Sequence, residues 1–234
     1  MDPLSLELGK SIVNKGTDVG VDLSEVFLDS VMGDGILKDI PIVSTISKMY
    51  EAGKTISEYR FVKKILNFIN EYNRGIIKSD KLERLKSEFE SNNKYKREVL
   101  ETLILIIDRL DNEWKSTILA CLFVEYINGQ YSWEEFQDLS RIVEQLFLSD
   151  LKVIRNLIEN HGSSIIKDIN IKNMKGDTIK GSTERLKTYG FIEFEGETWG
   201  SIGDYNLKTI KLTSLGSKFY NYCLHNYLCN KASG

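Results

Sequence analysis

Between Gly190 and Leu212 the chain leaves the helical period that runs through most of its length. This break constrains the fold more than any other feature. Gly190 follows the helical run RLKTY and can take the left-handed conformation that ends helices. Phe191-Ile192-Glu193-Phe194-Glu195 then alternates bulky and charged residues, as a half-buried strand does. A regular strand cannot face both Phe191 and Ile192 inward. One of them must lie at the strand's edge or on an irregular residue after Gly190, and the alternation selects Ile192 and Phe194 as the inward pair. Gly196, Gly200 and Gly203 interrupt the chain before a second β-prone run, Asn206 to Leu212. Thr213 can N-cap a closing helix from Ser214 to about His225. Leu186, Phe191, Ile192, Leu212, Leu215 and Phe219 are the expected core of this unit.

The phrases RLKTYGFIE and KLTSLGSKFYNY resemble the C-terminal part of winged-helix regulators. There, L-x-x-x-G-h-I joins the recognition helix to the wing and hLTxxG opens the closing helix. The resemblance covers roughly residues 151–228. It implies binding of nucleic acid or protein rather than catalysis. Ile165 to Lys180 departs from the pattern: it is lysine-rich, carries Gly176 with Gly181 just beyond it, and gives no clear middle helix. The wider layout, a helical body ending in such a cap, resembles uncharacterised bacterial proteins of the phage-defence or abortive-infection type.

The remaining chain reads as helical. Asp22–Met32 is a candidate helix broken by Gly33-Asp34-Gly35. Residues 36–74 suggest an amphipathic hairpin. Its second arm, Tyr59 to Tyr72, puts Phe61, Ile65, Phe68 and Ile69 inside and Lys63 and Lys64 outside. From residue 80 onward, Asp80 with Glu83 offers a cap. Val99 to Leu110 is apolar almost all round and reads as the central helix. Trp114 to Ile127 follows, then an Asn128-Gly129 turn and the capping box Ser132-Trp133-Glu134-Glu135. The expected fold class is therefore mainly α. A helical bundle fills residues 1–158, with the 36–74 hairpin and a bundle core at 80–158. A small winged-helix-like α+β unit with a two-stranded wing fills 159–234.

Chemistry is constrained mostly by what does not appear. YINGQYSWEEF suggests a calcium loop, but Val124 and Tyr126 stand at its first and third ligand positions and offer no carboxylate. Glu134-Glu135 and Asp108/Asp111 are explained by solvation and capping. No glycine-rich phosphate loop is found. His161 with Ser163-Ser164 has no orienting acid and reads as a polar turn. Three cysteines, Cys121, Cys223 and Cys229, show no metal spacing and fit a reducing cytoplasm, with Cys121 in the core. No apolar run nears the length of a membrane span. The expectation is a cytoplasmic, non-enzymatic protein with no cofactor and no metal.

Charge is uneven. Residues 151–234 carry 12 Lys+Arg against 8 Asp+Glu, which leaves 19 against 26 for the rest of a chain of net charge −3. In the basic end, Lys172, Lys175, Lys180, Arg185 and Lys187, with nearby Lys167, are the candidate nucleic-acid contacts. Trp199 and Tyr205, in the loop between the strands, are candidate partner-binding aromatics. The leading expectation is a regulatory protein that contacts nucleic acid or a protein through residues 165–210. The alternative is an effector that acts on membranes through the 36–74 hairpin.

Overall fold

A computed structural model describes residues 3–15, 45, 56–195 and 208–225. The Asp22–Met32 helix, nearly all of the first arm of the 36–74 hairpin and the loop carrying Trp199 and Tyr205 lie outside the described residues. The chain divides into two compact units, Met1–Glu144 and Gln145–Gly234. The division falls at Glu144/Gln145 rather than at 158/159, because the helix after it packs with the C-terminal elements.

The N-terminal unit contains α1 (Pro3–Val13), α2 (Ile56–Arg74), α3 (Ser79–Ser91), α4 (Asn93–Arg109), α5 (Glu113–Ile127) and α6 (Trp133–Gln145). Short polar side chains start several of them. Asn92 Oδ1 accepts the Tyr95 N–H at 3.0 Å to open α4. Before α6, Ser132 N–H donates to the Glu135 carboxylate at 2.7 Å and Glu135 N–H donates to Ser132 Oγ at 3.1 Å. This is the reciprocal box read from the sequence. Gly129, at φ 80°, makes the intervening turn. Asp80 lies inside the first turn of α3, whose N-cap is Lys78 with no side-chain cap.

The core of this unit forms where α2 meets α5. Val62, Ile65, Leu66, Phe68, Ile69 and Tyr72 of α2 are all buried. Burial of each such side chain contributes about 1.5–3 kcal/mol relative to exposure. Phe123 anchors the aromatic cluster, with ring centroids 6.0 Å from Phe68, 5.9 Å from Tyr72 and 5.6 Å from Phe136. The central helix is α5, not α4. Lys115, Ser116, Ile118, Leu119, Ala120, Leu122, Phe123 and Val124 are buried around α5, whereas α4 is two-faced and leaves Leu105 49% exposed.

Two further expectations are corrected here. Lys64 is buried rather than solvated: its ammonium donates to the carbonyls of Asp108 at 2.6 Å and Leu110 at 2.8 Å. Those carbonyls end α4 and need donors, and a lysine stem is apolar enough to pass through a core to reach them. Lys115 does the same for α6, donating to Glu144 O at 2.6 Å while pairing with Asp111 at 2.8 Å. Cys121 is half-buried, with its thiol 3.6 Å from Glu71 Oε1.

The C-terminal unit runs α7 (Leu148–Glu159), β1 (Ser163–Ile165), a 3-10 turn (Ile166–Asp168), α8 (Gly176–Thr188), β2 (Ile192–Phe194), β3 (Thr209–Leu212) and α9 (Ser214–Phe219), which passes into a wider π-type turn at Tyr220–Leu224. The three strands form an antiparallel sheet in the order β1-β3-β2, with Ile210 opposite Ser164 on one side and Phe194 on the other. The sheet thus has one strand more than the sequence indicates. His161 and Gly162, at φ 59° and 83°, end α7 and turn the chain, so Ser163-Ser164-Ile165 is a strand and not a polar turn.

The core of this unit is small. Ile192 and Phe194 are the buried pair of β2, with Glu193 outward. Phe191 lies just before the strand and is fully buried, stacked on Phe219 at 4.7 Å. Leu186, Ile210 and Phe219 are fully buried, whereas Leu212 and Leu215 are half-buried. The LTSLG phrase fixes the closing helix against this core. Thr213 Oγ1 accepts the Gly216 N–H at 3.0 Å and donates to Gly190 O at 2.7 Å. Gly216 lets α9 approach so closely that a Cβ there would lie 2.1 Å from Phe191 O.

Candidate binding face of the C-terminal unit

Helix α8 positions most of the candidate lysines, and its burial pattern says which side is available. Ile179, Ser182, Thr183 and Leu186 are buried, at spacings of three, one and three residues. This is one helical face. Opposite it stand Asp177, Lys180, Gly181, Glu184 and Thr188. The outward face of α8 therefore alternates acid, base and acid. It is not a basic stripe.

The five candidate cations separate into four situations. Lys172 and Lys175 are exposed, beside a tight turn in which Met174 N–H donates to Ile171 O at 3.0 Å and Asn173 takes φ 64°. Lys180 is half-buried on the mixed face. Lys187 folds back, its ammonium 4.4 Å from the centroid of the Phe194 ring, and Lys208 approaches the same ring at 5.2 Å. The end of α8 and the residue before β3 thereby bring two ammonium groups to one aromatic side chain. Lys211, on β3, lies 3.9 Å from the Glu195 carboxylate.

Arg185 is engaged inside the unit. Its Nη2 and Nε donate to the Asp150 carboxylate at 2.7 and 3.2 Å, and Nη2 also reaches Ser149 and Ser182 hydroxyls at 3.3 and 3.1 Å. Its guanidinium lies 4.6 Å from the centroid of the Phe147 ring. Asp150 is 0% exposed and also accepts the Phe147 N–H at 2.9 Å, which opens α7. The hydrogen bond to Asp150 raises the Arg185 pKa further, so the guanidinium stays charged. The Arg185 side chain joins α8 to the start of α7. It is not among the exposed cations.

Trp199 and Tyr205 lie outside the described residues. Asp150, Lys208 and the ring of Phe194 engage the candidate cations, and the sequence reading did not place them there. An acid three residues into a helix after Phe147 was a legible capping signal for Asp150. Nothing local marks it as the partner of a cation 35 residues away.

Among the described residues, the structure does not join His161 and Ser164 by a hydrogen bond. His161 is exposed at a positive φ, and the Ser164 hydroxyl donates to Ile165 O at 3.3 Å. Among the described residues, no group of three or more His, Cys, Asp or Glu side chains gathers in a metal-binding arrangement. No described helix is long and apolar enough to cross a membrane. Compared with known proteins, the chain matches no family model, no curated protein and no solved structure.

Proposed function

We propose that the chain is a non-catalytic binding and regulatory protein whose C-terminal unit is a winged-helix-like module for a protein partner. The fold half of this reading is supported by the element order α7-β1-α8-β2-β3 and by the sheet order β1-β3-β2, which suit a helix and a hairpin presented side by side. The partner half rests on one observation: the outward face of α8 carries Asp177 and Glu184 around Lys180, while Arg185 is held by Asp150. A duplex is lined with phosphates and favours continuous positive charge. A face of mixed sign suits a partner of complementary mixed sign.

Nucleic acid is the second reading, supported by exposed Lys172 and Lys175 and by the Lys187/Lys208 pair at Phe194. A titration of the full chain with random-sequence duplex DNA and RNA at low salt separates the two. The protein-partner reading expects no binding by the wild type. It also expects that Asp177→Lys with Glu184→Lys, by making the α8 face basic, creates duplex binding. Wild-type binding whose log-log salt slope falls by about one unit for each of Lys172→Ala and Lys175→Ala would establish the nucleic-acid reading instead.

The membrane alternative has less support. The apolar face of α2, the second arm of the hairpin, is buried in the N-terminal core. Exposing it to lipid requires opening that core.

A further inference from the structure

The N-terminal unit contains a cavity of about 190 Å³ between α3, α4 and α5 that the binding face does not use. Leu85 and Ile127 supply apolar wall, Tyr95, Tyr126 and Tyr131 supply three phenols, Lys81 and Arg84 supply two cations, and Glu88 supplies one carboxylate. The chemistry is rich in donors and poor in acceptors. The Tyr95 and Tyr126 hydroxyls hydrogen-bond each other. Two hydroxyls bring two protons, and their mutual bond uses one. The other has no acceptor among the described residues. Both tyrosines are half-buried, so the second proton is available to an acceptor that enters the cavity.

The cations stand at the solvent side of the cavity, Arg84 exposed and Lys81 half-buried. Arg84 Nε donates to Glu88 Oε1 at 2.9 Å, which satisfies the one acid at this place. The terminal guanidinium nitrogens, and the Lys81 ammonium, make no hydrogen bond among the described residues. The phenols are held in place by their rings. Tyr95 packs edge-on against Phe89 at 5.9 Å, and Tyr126 lies 5.3 Å from Trp133, 5.7 Å from Phe136 and 5.8 Å from Phe123. Donors fixed in this way need little ordering when a ligand arrives. Burial raises the pKa of both tyrosines, so at neutral pH they stay protonated and do not repel an anion.

We propose that this cavity binds a phosphate group, either inorganic phosphate or the terminus of a small phosphomonoester. Arg84 and Lys81 would neutralise its charge, and the Tyr95–Tyr126 pair would donate its second proton to one phosphate oxygen. The volume is below the range of ~300–1,000 Å³ usual for drug-sized ligands, so the occupant is compact. Donors come from three helices, α3, α4 and α5, and a phosphate offers more acceptor oxygens to them than a carboxylate does.

The test is an NMR titration of the full chain, observing the tyrosine ring signals with inorganic phosphate, methyl phosphate and acetate in separate arms. The expected result is a saturable shift of the Tyr95 and Tyr126 signals with at least one phosphate species and a weaker response to acetate. Saturation by inorganic phosphate alone identifies the free anion. Equal or tighter methyl phosphate binding identifies a monoester. Arg84 is exposed, so Arg84→Gln keeps the fold and is expected to weaken binding by about tenfold or more, the loss of one charge-assisted bond. Arg155→Gln, in the other unit, should leave it unchanged. No saturable tyrosine shift with either phosphate species, or a shift that Arg84→Gln does not alter, overturns the proposal.

Discussion

The two units of this chain solve the same problem with different redundancy. The N-terminal unit buries an interlocking aromatic cluster in which Phe123 alone touches Phe68, Tyr72, Tyr126 and Phe136. Its buried lysines each satisfy a helix end. Among its described residues, the C-terminal unit has one stacked aromatic pair, Phe191 on Phe219, with Tyr189 edge-on to Phe191, one threonine tie and one close backbone approach at Gly216. In the first, many contacts share the load. In the second, a few hold the closing helix to the sheet. Substitutions of similar chemistry should therefore have different consequences in the two units.

The largest effect is expected at Gly216. Gly216→Ala puts a methyl group where Phe191 O stands, and that carbonyl is fixed by the Thr213 N–H at 3.1 Å. The cost should exceed ~4 kcal/mol, a size reserved for gross steric or core damage. Urea unfolding followed by far-ultraviolet circular dichroism should show the C-terminal transition lost and the N-terminal one retained. A single transition, shifted as a whole, would show that the units are not separately cooperative.

Next come the paired core truncations. Phe219→Ala and Phe123→Ala should each cost about 3–5 kcal/mol. A domain is stable by only about 5–15 kcal/mol, so the smaller unit should unfold under the loss while the larger one shows only a lower midpoint. Equal retention of both units would remove the difference in redundancy.

The buried ions sharpen the same contrast. Arg185→Met leaves the Asp150 carboxylate buried without its cation. The cost should be about 2–3 kcal/mol, below the ~3–5 of a fully buried pair because a third of the Arg185 side chain is exposed. Lys64→Met keeps the packing of the stem and loses only the donors to two carbonyls, for about 1–2 kcal/mol. Thermal midpoints of the two variants, compared within each unit, give the order.

The smallest effect is a pH dependence confined to the N-terminal unit. The Lys15 ammonium donates to Gly75 O, and burial lowers its pKa from 10.5 to about 8. A lowered folded pKa means that the charged form is penalised in the folded state. The penalty is fully present below pH 8 and is relieved as pH rises towards 10.5. Wild type should therefore gain stability relative to Lys15→Met across that window, read from urea midpoints. A loss over the same window would mean that the bond to Gly75 O outweighs desolvation.

Much of the C-terminal unit was legible because its signals are local. Thr213 and Gly216 stand three residues apart in LTSLG, and the inward pair Ile192 and Phe194 follows from alternation. The Ser132–Glu135 box was legible for the same reason. What escaped depended on distant partners. Lys64 looks like Lys63 in sequence, and only the carbonyls of Asp108 and Leu110 draw it inward. β1 is three residues long without alternation, and its strand character comes from β3. Arg185 read as a surface cation because its acid lies on another helix. The candidate site was therefore legible as a region, but not in which of its cations remain outward.

The central claim is that β3 lies between β1 and β2, because the closing helix, the α8 face and the proposed module all depend on that sheet. Cross-strand nuclear Overhauser contacts test it most directly. The arrangement predicts contacts from Ile210 to both Ser164 and Phe194, and from Leu212 to Ile192. Helical contact patterns through Ile192–Phe194 and Thr209–Leu212, or β1 contacting β2 without β3 between them, would contradict it and remove the basis for the binding module.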